Sequence, residues 1–131
     1  MTRLLAIPTV FLATLVLAAC AKPNNVLSAV SDNAVVELKP RQTIILANKS
    51  LLRYVSLVSD SRCAPDVQCV WAGDAVVALN WTSANGTSRD LELHSNRAQG
   101  ADTADMDGKR ITFTHLSPKG TEASFEVTTL P

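Results

Sequence analysis

The chain has 131 residues, 12 of them Lys or Arg and 12 Asp or Glu, so the formal net charge at neutral pH is zero and charged residues make up only 18% of the whole. No basic run or stripe breaks that balance, which argues against nucleic acid as a partner. There are no internal repeats and no low-complexity block.

The first 20 residues, MTRLLAIPTVFLATLVLAAC, read as a targeting segment, with one positive charge at Arg3, an apolar stretch from Leu4 to Ala19 and small residues ahead of Cys20. The stretch is short and contains Pro8, which disfavours a permanent membrane-spanning helix. Its ending, Leu17-Ala18-Ala19-Cys20, resembles the lipobox of bacterial lipoproteins, whose signal peptidase cuts before the Cys. The resemblance implies a signal peptide over residues 1–19 and a mature chain that begins at Cys20, with acyl chains of the palmitate kind on its sulfur and amine. An ordinary secretion signal with an incidental Cys is the competing reading. One acyl chain holds a protein only marginally, whereas two or more anchor it stably at roughly 0.8 kcal/mol per buried CH₂. The body behind such an anchor need not touch lipid.

Residues 20–33 then make the lipidated Cys and a tether, since AKPNNVLSAVSDN carries Pro, Asn and Ser without sustained periodicity. Ala21 stands where an Asp favours inner-membrane retention in enterobacterial-type lipoproteins. By that family's rule, the location implied is the outer membrane, on its periplasmic side.

Residues 34–131 suffice for one domain with a single modest core. Short apolar runs separated by turn residues favour strands: AVVEL (34–38), TIIL (43–46) and LLRYVSLVSD (51–60) come first. In VWAGDAVVALNWT, Trp71, Gly73, Ala75, Val77, Leu79 and Trp81 share one parity, which predicts both tryptophans on the core face. Asn85-Gly86 then predicts a short hairpin, because both turn positions tolerate positive φ. RDLELHS alternates Leu91 and Leu93 with Asp90, Glu92 and His94, and NRAQGADTADMDGK is the one long polar loop. RITFTHL and ASFEVTTL close the chain as strands. About seven short strands and no amphipathic helical spacing predict an all-β fold, an antiparallel β-sandwich or a small β-barrel.

With Cys20 lipidated, Cys63 and Cys69 remain as an even pair, which in an oxidising compartment predicts a disulfide. Closing that loop restricts the unfolded chain by roughly 2 to 3 kcal/mol in the chain-entropy model. A redox pair would sit as Cys-x-x-Cys at a helix start. Structural zinc would need four ligands, and His94 and His115 show no spacing that completes a cluster.

The surrounding stretch, Asp60-Ser61-Arg62-Cys63 followed by Cys69-Val70-Trp71-Ala72-Gly73, resembles a motif of small bacterial secreted proteins and lipoproteins, Asp-Ser-Arg-Cys-Pro…Cys-x-Trp-x-Gly. Ala64 departs from it by separating Cys63 from Pro65. The resemblance implies a class of envelope protein and brings no activity with it. Two readings of the motif compete. In the first it is a stapled corner, with Asp60 and Ser61 bonding turn backbone, Arg62 pairing with Asp60, Asp66 or Asp74 or stacking on Trp71, and Gly73 allowing close backbone approach. In the second, Asp60, Arg62 and Trp71 form an exposed recognition patch.

No catalytic residue, metal site or cofactor is predicted. Asp107-Gly108 reads as a β-turn rather than a calcium loop, because aligning Gly108 with that loop's glycine puts Thr103 and Thr114 at ligand positions. His94 and His115 read as solvated strand residues. The expected function is a non-enzymatic envelope lipoprotein, membrane-attached through Cys20, whose loops bind an envelope protein or a cell-wall component such as peptidoglycan. An inhibitor that blocks a hydrolase with the stapled 63–69 loop is the alternative. An enzyme is disfavoured because no nucleophile, base and orienting group assemble from the motifs.

Overall fold

A computed structural model describes residues 28–131; the expected signal peptide, Cys20 and the tether up to residue 27 lie outside the described residues. Within them, the strands in chain order are β1 (Ser28–Val30), β2 (Ala34–Leu38), β3 (Thr43–Leu46), β4 (Leu51–Asp60), β5 (Ala75–Thr82), β6 (Ser88–His94), β7 (Thr103–Met106), β8 (Lys109–Leu116) and β9 (Ala123–Thr129). They form a five-stranded sheet, β1-β3-β4-β5-β6, and a four-stranded sheet, β2-β9-β8-β7. All neighbours are antiparallel except β1 and β3, which run parallel. The fold is therefore all-β, and the two separate sheets make it a sandwich rather than a barrel.

Period-two alternation builds the core. Ala75, Val77, Leu79 and Trp81 of β5 are buried, and they face Ile111 and Phe113 of β8 and Phe125 and Val127 of β9 across the sandwich. The ring of Tyr54 on β4 meets Phe125 edge-on at 5.8 Å between centroids, and Phe125 meets Phe113 at 5.6 Å. That row of rings joins the two sheets. The buried indole N–H of Trp81 donates to Asp107 Oδ2 at 2.9 Å, so its one polar atom is satisfied.

The strand directions give the sandwich two distinct ends. The segments joining β4 to β5, β6 to β7 and β8 to β9 lie at one, called here the loop end. The turns after β1, β3, β5 and β7 lie at the other, the hairpin end. There Asp107 (φ 49°) and Gly108 (φ 75°) form the predicted β-turn, both in the left-handed region as a two-residue hairpin demands. The Asn85-Gly86 hairpin forms as expected, and of the two residues only Gly86 has positive φ (90°). Gly86 N–H donates to Ser83 O and Ser83 N–H to Thr87 O, so the connection is a three-residue loop with a bulge rather than a two-residue one.

Two expectations are corrected. Residues 28–30, assigned to the tether, form β1, and Asp32 pairs with the buried ammonium of Lys109, which also donates to Thr129 Oγ1 at 2.8 Å. The domain therefore begins at or before Ser28 rather than at residue 34. Trp71 is 84% exposed instead of lying on the core face, because the chain leaves the sheet after Asp60 and β5 starts only at Ala75, so strand parity does not carry back to it.

A chain starting at Ala34 should accordingly melt below one starting at Ser28. Loss of Asp32 leaves the Lys109 ammonium without its carboxylate, at a cost of about 1 to 3 kcal/mol, in addition to the lost β1 pairing. Equal melting temperatures would return residues 28–33 to the tether.

Candidate functional site

The stapled stretch leaves the sheet through a neck held by backbone contacts. Ser61 N–H donates to Asp74 O at 2.7 Å, and Asp74 N–H returns a bond to Ser61 Oγ at 3.0 Å. Gly73 makes this closure possible: a Cβ there would lie 1.8 Å from Ser61 O, so the two strands of the neck approach closer than any side chain allows. The expected close approach at Gly73 is thus the one observed.

Arg62 braces the neck against the other sheet. Its Nε donates to Asp60 Oδ1 and a terminal nitrogen to Asp60 Oδ2, both at 2.8 Å. The same guanidinium reaches Leu116 O at 2.7 Å and Ser117 O at 3.0 Å, at the end of β8. Of the partners expected for Arg62, the structure brings in Asp60, and it adds two carbonyls that no side-chain inventory reveals. A planar fork of five donors suits this arrangement, and a lysine ammonium cannot reproduce it.

Asp74 fixes the neck on its second side. It is buried, accepts from Ser95 Oγ at 3.1 Å and Asn96 N–H at 2.9 Å, and lies 2.6 Å from His94 Nδ1. His94 is therefore not the solvated strand residue expected; its ring sits between Asp74 and the backbone of Gly100, where a Cβ would fall 2.2 Å from it. Burial pushes the Asp74 carboxyl up, but the bonds from His94, Asn96 and Ser95 outweigh it and hold the group below its ordinary value. The bond from Arg62 likewise lowers Asp60.

Beyond the neck, Cys63 and Cys69 form the predicted disulfide, with S–S 2.05 Å and Cα–Cα 5.9 Å. Val67 N–H donates to Ala64 O at 3.1 Å inside the stapled turn. Val67 (59% exposed) within the turn, and Val70 (91%) and Trp71 (84%) just after it, project into solvent. The structure separates the residues that the patch reading grouped: Asp60 and Arg62 are bonded into the neck, and Trp71 is exposed. Asp60, Ser61, Arg62, Gly73 and Asp74 are structural, while Trp71 belongs to an exposed apex together with Val67 and Val70, two residues outside the expected patch. The signal was present in Gly73-Asp74, a turn pair inside the apolar run.

Each end of the sandwich carries a concavity. A groove of about 320 Å³ beside the staple is lined by Asp60, Arg62, Pro65, His115 and Pro118. A cleft of about 250 Å³ at the hairpin end is lined by Trp81, Asn85, Arg89, Asp105 and Asp107. Asp60 is engaged by Arg62, Asp105 by Arg110 and Asp107 by Trp81. Among the described residues, no group of three or more His, Cys, Asp or Glu is placed to hold a metal. Comparison with protein-family models, with curated proteins and with solved structures finds no match to this chain.

The two tryptophans should respond oppositely to truncation. Trp81→Ala removes a buried indole and should cost about 3 to 5 kcal/mol, whereas Trp71→Ala should stay within about 0.5 kcal/mol of wild type. Arg62→Lys should cost about 2 to 3 kcal/mol, since it leaves buried carbonyls and a carboxylate short of donors. Thermal melts of the three variants check this order; a Trp71→Ala loss comparable to that of Trp81→Ala would restore Trp71 to the core.

Acid should loosen the neck. A carboxyl whose pKa is lower in the folded protein contributes stability above its unfolded pKa of about 4 and loses it as pH falls through the folded value. The double variant Asp60→Asn, Asp74→Asn should therefore be less stable than wild type at neutral pH and show a shallower decline below about pH 4. Parallel acid limbs for the two proteins would remove these carboxylates from the account.

Proposed function

We propose that the protein is a lipid-anchored component of the bacterial cell envelope, held through acyl chains on Cys20, and that its sandwich is a non-enzymatic binding module for a protein or cell-wall component. The observation that carries this reading is the apex: Val67, Val70 and Trp71 are displayed on a loop that a disulfide closes and that a guanidinium and a buried carboxylate hold at its neck. Groups already rigid lose little freedom on contact, and loops on a rigid scaffold are where recognition concentrates. Anchoring is supported by the apolar leader and by Leu17-Ala18-Ala19-Cys20, and Ala21 points to the outer membrane on its periplasmic side. The same rigidity favours a second reading, a hydrolase inhibitor that inserts the stapled loop. An enzyme has the least support: Asp60, Asp105 and Asp107, which line the concavities at the two ends, are already bonded to protein donors.

Two measurements test the proposal. Metabolic labelling with a fatty acid should mark the wild type and leave Cys20→Ala an unlabelled, unprocessed precursor; equal labelling would overturn the anchor. A photo-crosslinking amino acid at position 70 or 85, at the two ends of the sandwich, should give discrete adducts in cells. At Glu126, on the outer face of the four-stranded sheet, it should give none. Uniform labelling at all three positions would overturn the binding module, and a hydrolase in the adduct would select the inhibitor.

A further inference from the structure

The two outer faces of the sandwich differ. On the four-stranded sheet the outward residues of β8 and β9, among them Arg110, Thr112, Glu126 and Thr128, are polar, and Val35 at the edge is the large apolar exception. On the five-stranded sheet the outward residues include Ile45 of β3, Leu51 of β4 and Val76 and Ala78 of β5, while Ile44, Leu52, Val77 and Leu79 point the other way into the core. Two bulges add to this face. The register of β4 against β5 slips between Tyr54 and Ser56 and again between Leu57 and Ser59, and the extra residues, Val55 and Val58, are 37% and 52% exposed. A solvated antiparallel face is ordinarily polar, so a contiguous apolar one marks a contact surface. A groove of about 520 Å³ opens on it, with Val55 and Ala78 on one side and Asp90 and Glu92 on the other.

We infer that a second copy of the chain seats on this face, in a homodimer whose two-fold axis runs parallel to β5. The charges decide the occupant. Arg53 of β4 and Asp90 of β6 both pair with Asn80 of β5, so they flank one residue in a single cross-strand row, and Glu92 lies one row along beside Ala78. Among the described residues, no ion pair engages Arg53, Asp90 or Glu92, and Asp90 accepts only from Asn80 Nδ2. A half-turn about β5 exchanges the β4 side of the sheet for the β6 side. It lays Arg53 of each copy over Asp90 of the other, with Glu92 next in line, and the isologous contact repeats the pair on both flanks. Between the flanks Val76 and Ala78 meet their own counterparts, at the spacing of about 10 Å usual for stacked sheets. A uniformly cationic or anionic partner would match one flank and repel the other, whereas the patch matches itself. Four strands at about 4.8 Å and the eight residues of β5 at about 3.4 Å make a face of roughly 19 by 27 Å. Covering it on both copies buries on the order of 1,000 Å², the lower limit for a specific interface, so the dimer is weak. Strand direction is kept under this rotation, and the two stapled loops project side by side. The inference does not depend on acylation of Cys20.

The test places a photo-crosslinking amino acid at position 55 of the full chain, irradiated in cells and again after purification and concentration. An adduct of twice the monomer mass should form and should join position 55 to the β6 segment of a second copy. Arg53→Glu should lower its yield about tenfold or more, and so should the double variant Asp90→Arg, Glu92→Arg, since each sets like charges against each other. Co-expressing these two variants with different tags should restore an adduct between them, because each supplies the charge the other has lost, and that recovery also shows that both fold. Absence of the double-mass adduct would overturn the inference, as would an adduct indifferent to both charge reversals or a mixed pair that stays apart. An adduct of monomer mass to the residues ahead of Ser28 would show that the chain covers its own face, and an adduct with a different protein would give the face to that partner; either result overturns the dimer.

Discussion

One guanidinium ties the loop end of this sandwich together. Arg62 takes both oxygens of Asp60 at the end of β4 and the carbonyls of Leu116 and Ser117 at the end of β8, so a single side chain spans the two sheets where the stapled loop leaves them. These are charge-assisted bonds to fixed acceptors, several of them part-buried, and a planar fork loses less freedom in making them than a flexible ammonium does. Without that brace the loop would hang from the closed neck at Ser61 and Gly73 and from Asp74 alone. The disulfide cannot substitute for it, because Cys63 and Cys69 both lie beyond the neck and link the loop only to itself.

The result is a division of labour within sixteen residues of sequence, 60–75. Polar and charged groups, which sequence habit assigns to surfaces and recognition, are spent on holding the neck. Apolar groups, which the same habit assigns to cores, are displayed. An exposed Trp beside an exposed Val is informative in a way that a single surface Leu is not, since the remaining exposed large apolar residues, Val35, Val55 and Val58, sit on strands of the sandwich rather than on a projecting loop.

Much of the fold was legible in the sequence, and the misses share a cause. AVVEL, TIIL and LLRYVSLVSD coincide with β2, β3 and β4 because alternation and turn residues are local signals. β1 and β7 escaped detection: Ser28–Val30 becomes a strand only through parallel pairing with β3, and Thr103–Met106 is a four-residue edge inside a polar segment, held by β8 and by Ala104 and Met106 packing on the core. Pairing across that distance leaves no trace in a short window. Trp71 was misplaced by extending a correct parity past the end of its strand, and Gly73 and Asp74 mark that end. The disulfide was legible by counting. The acceptors of Arg62 were not, because backbone carbonyls have no sequence signature.

The parallel pairing of β1 with β3 has a mechanical consequence. A pull applied ahead of Ser28 acts along the strand axis, so the hydrogen bonds to β3 are loaded together in shear instead of opening one after another. Just behind them, Asp32 is held by Lys109 of the other sheet. Tension from that side is therefore passed into both halves of the sandwich before either can open. Under such a load, survival is governed by the rate of unfolding more than by equilibrium stability. A three-residue strand that adds little to the core then sets how well the whole domain resists such a pull.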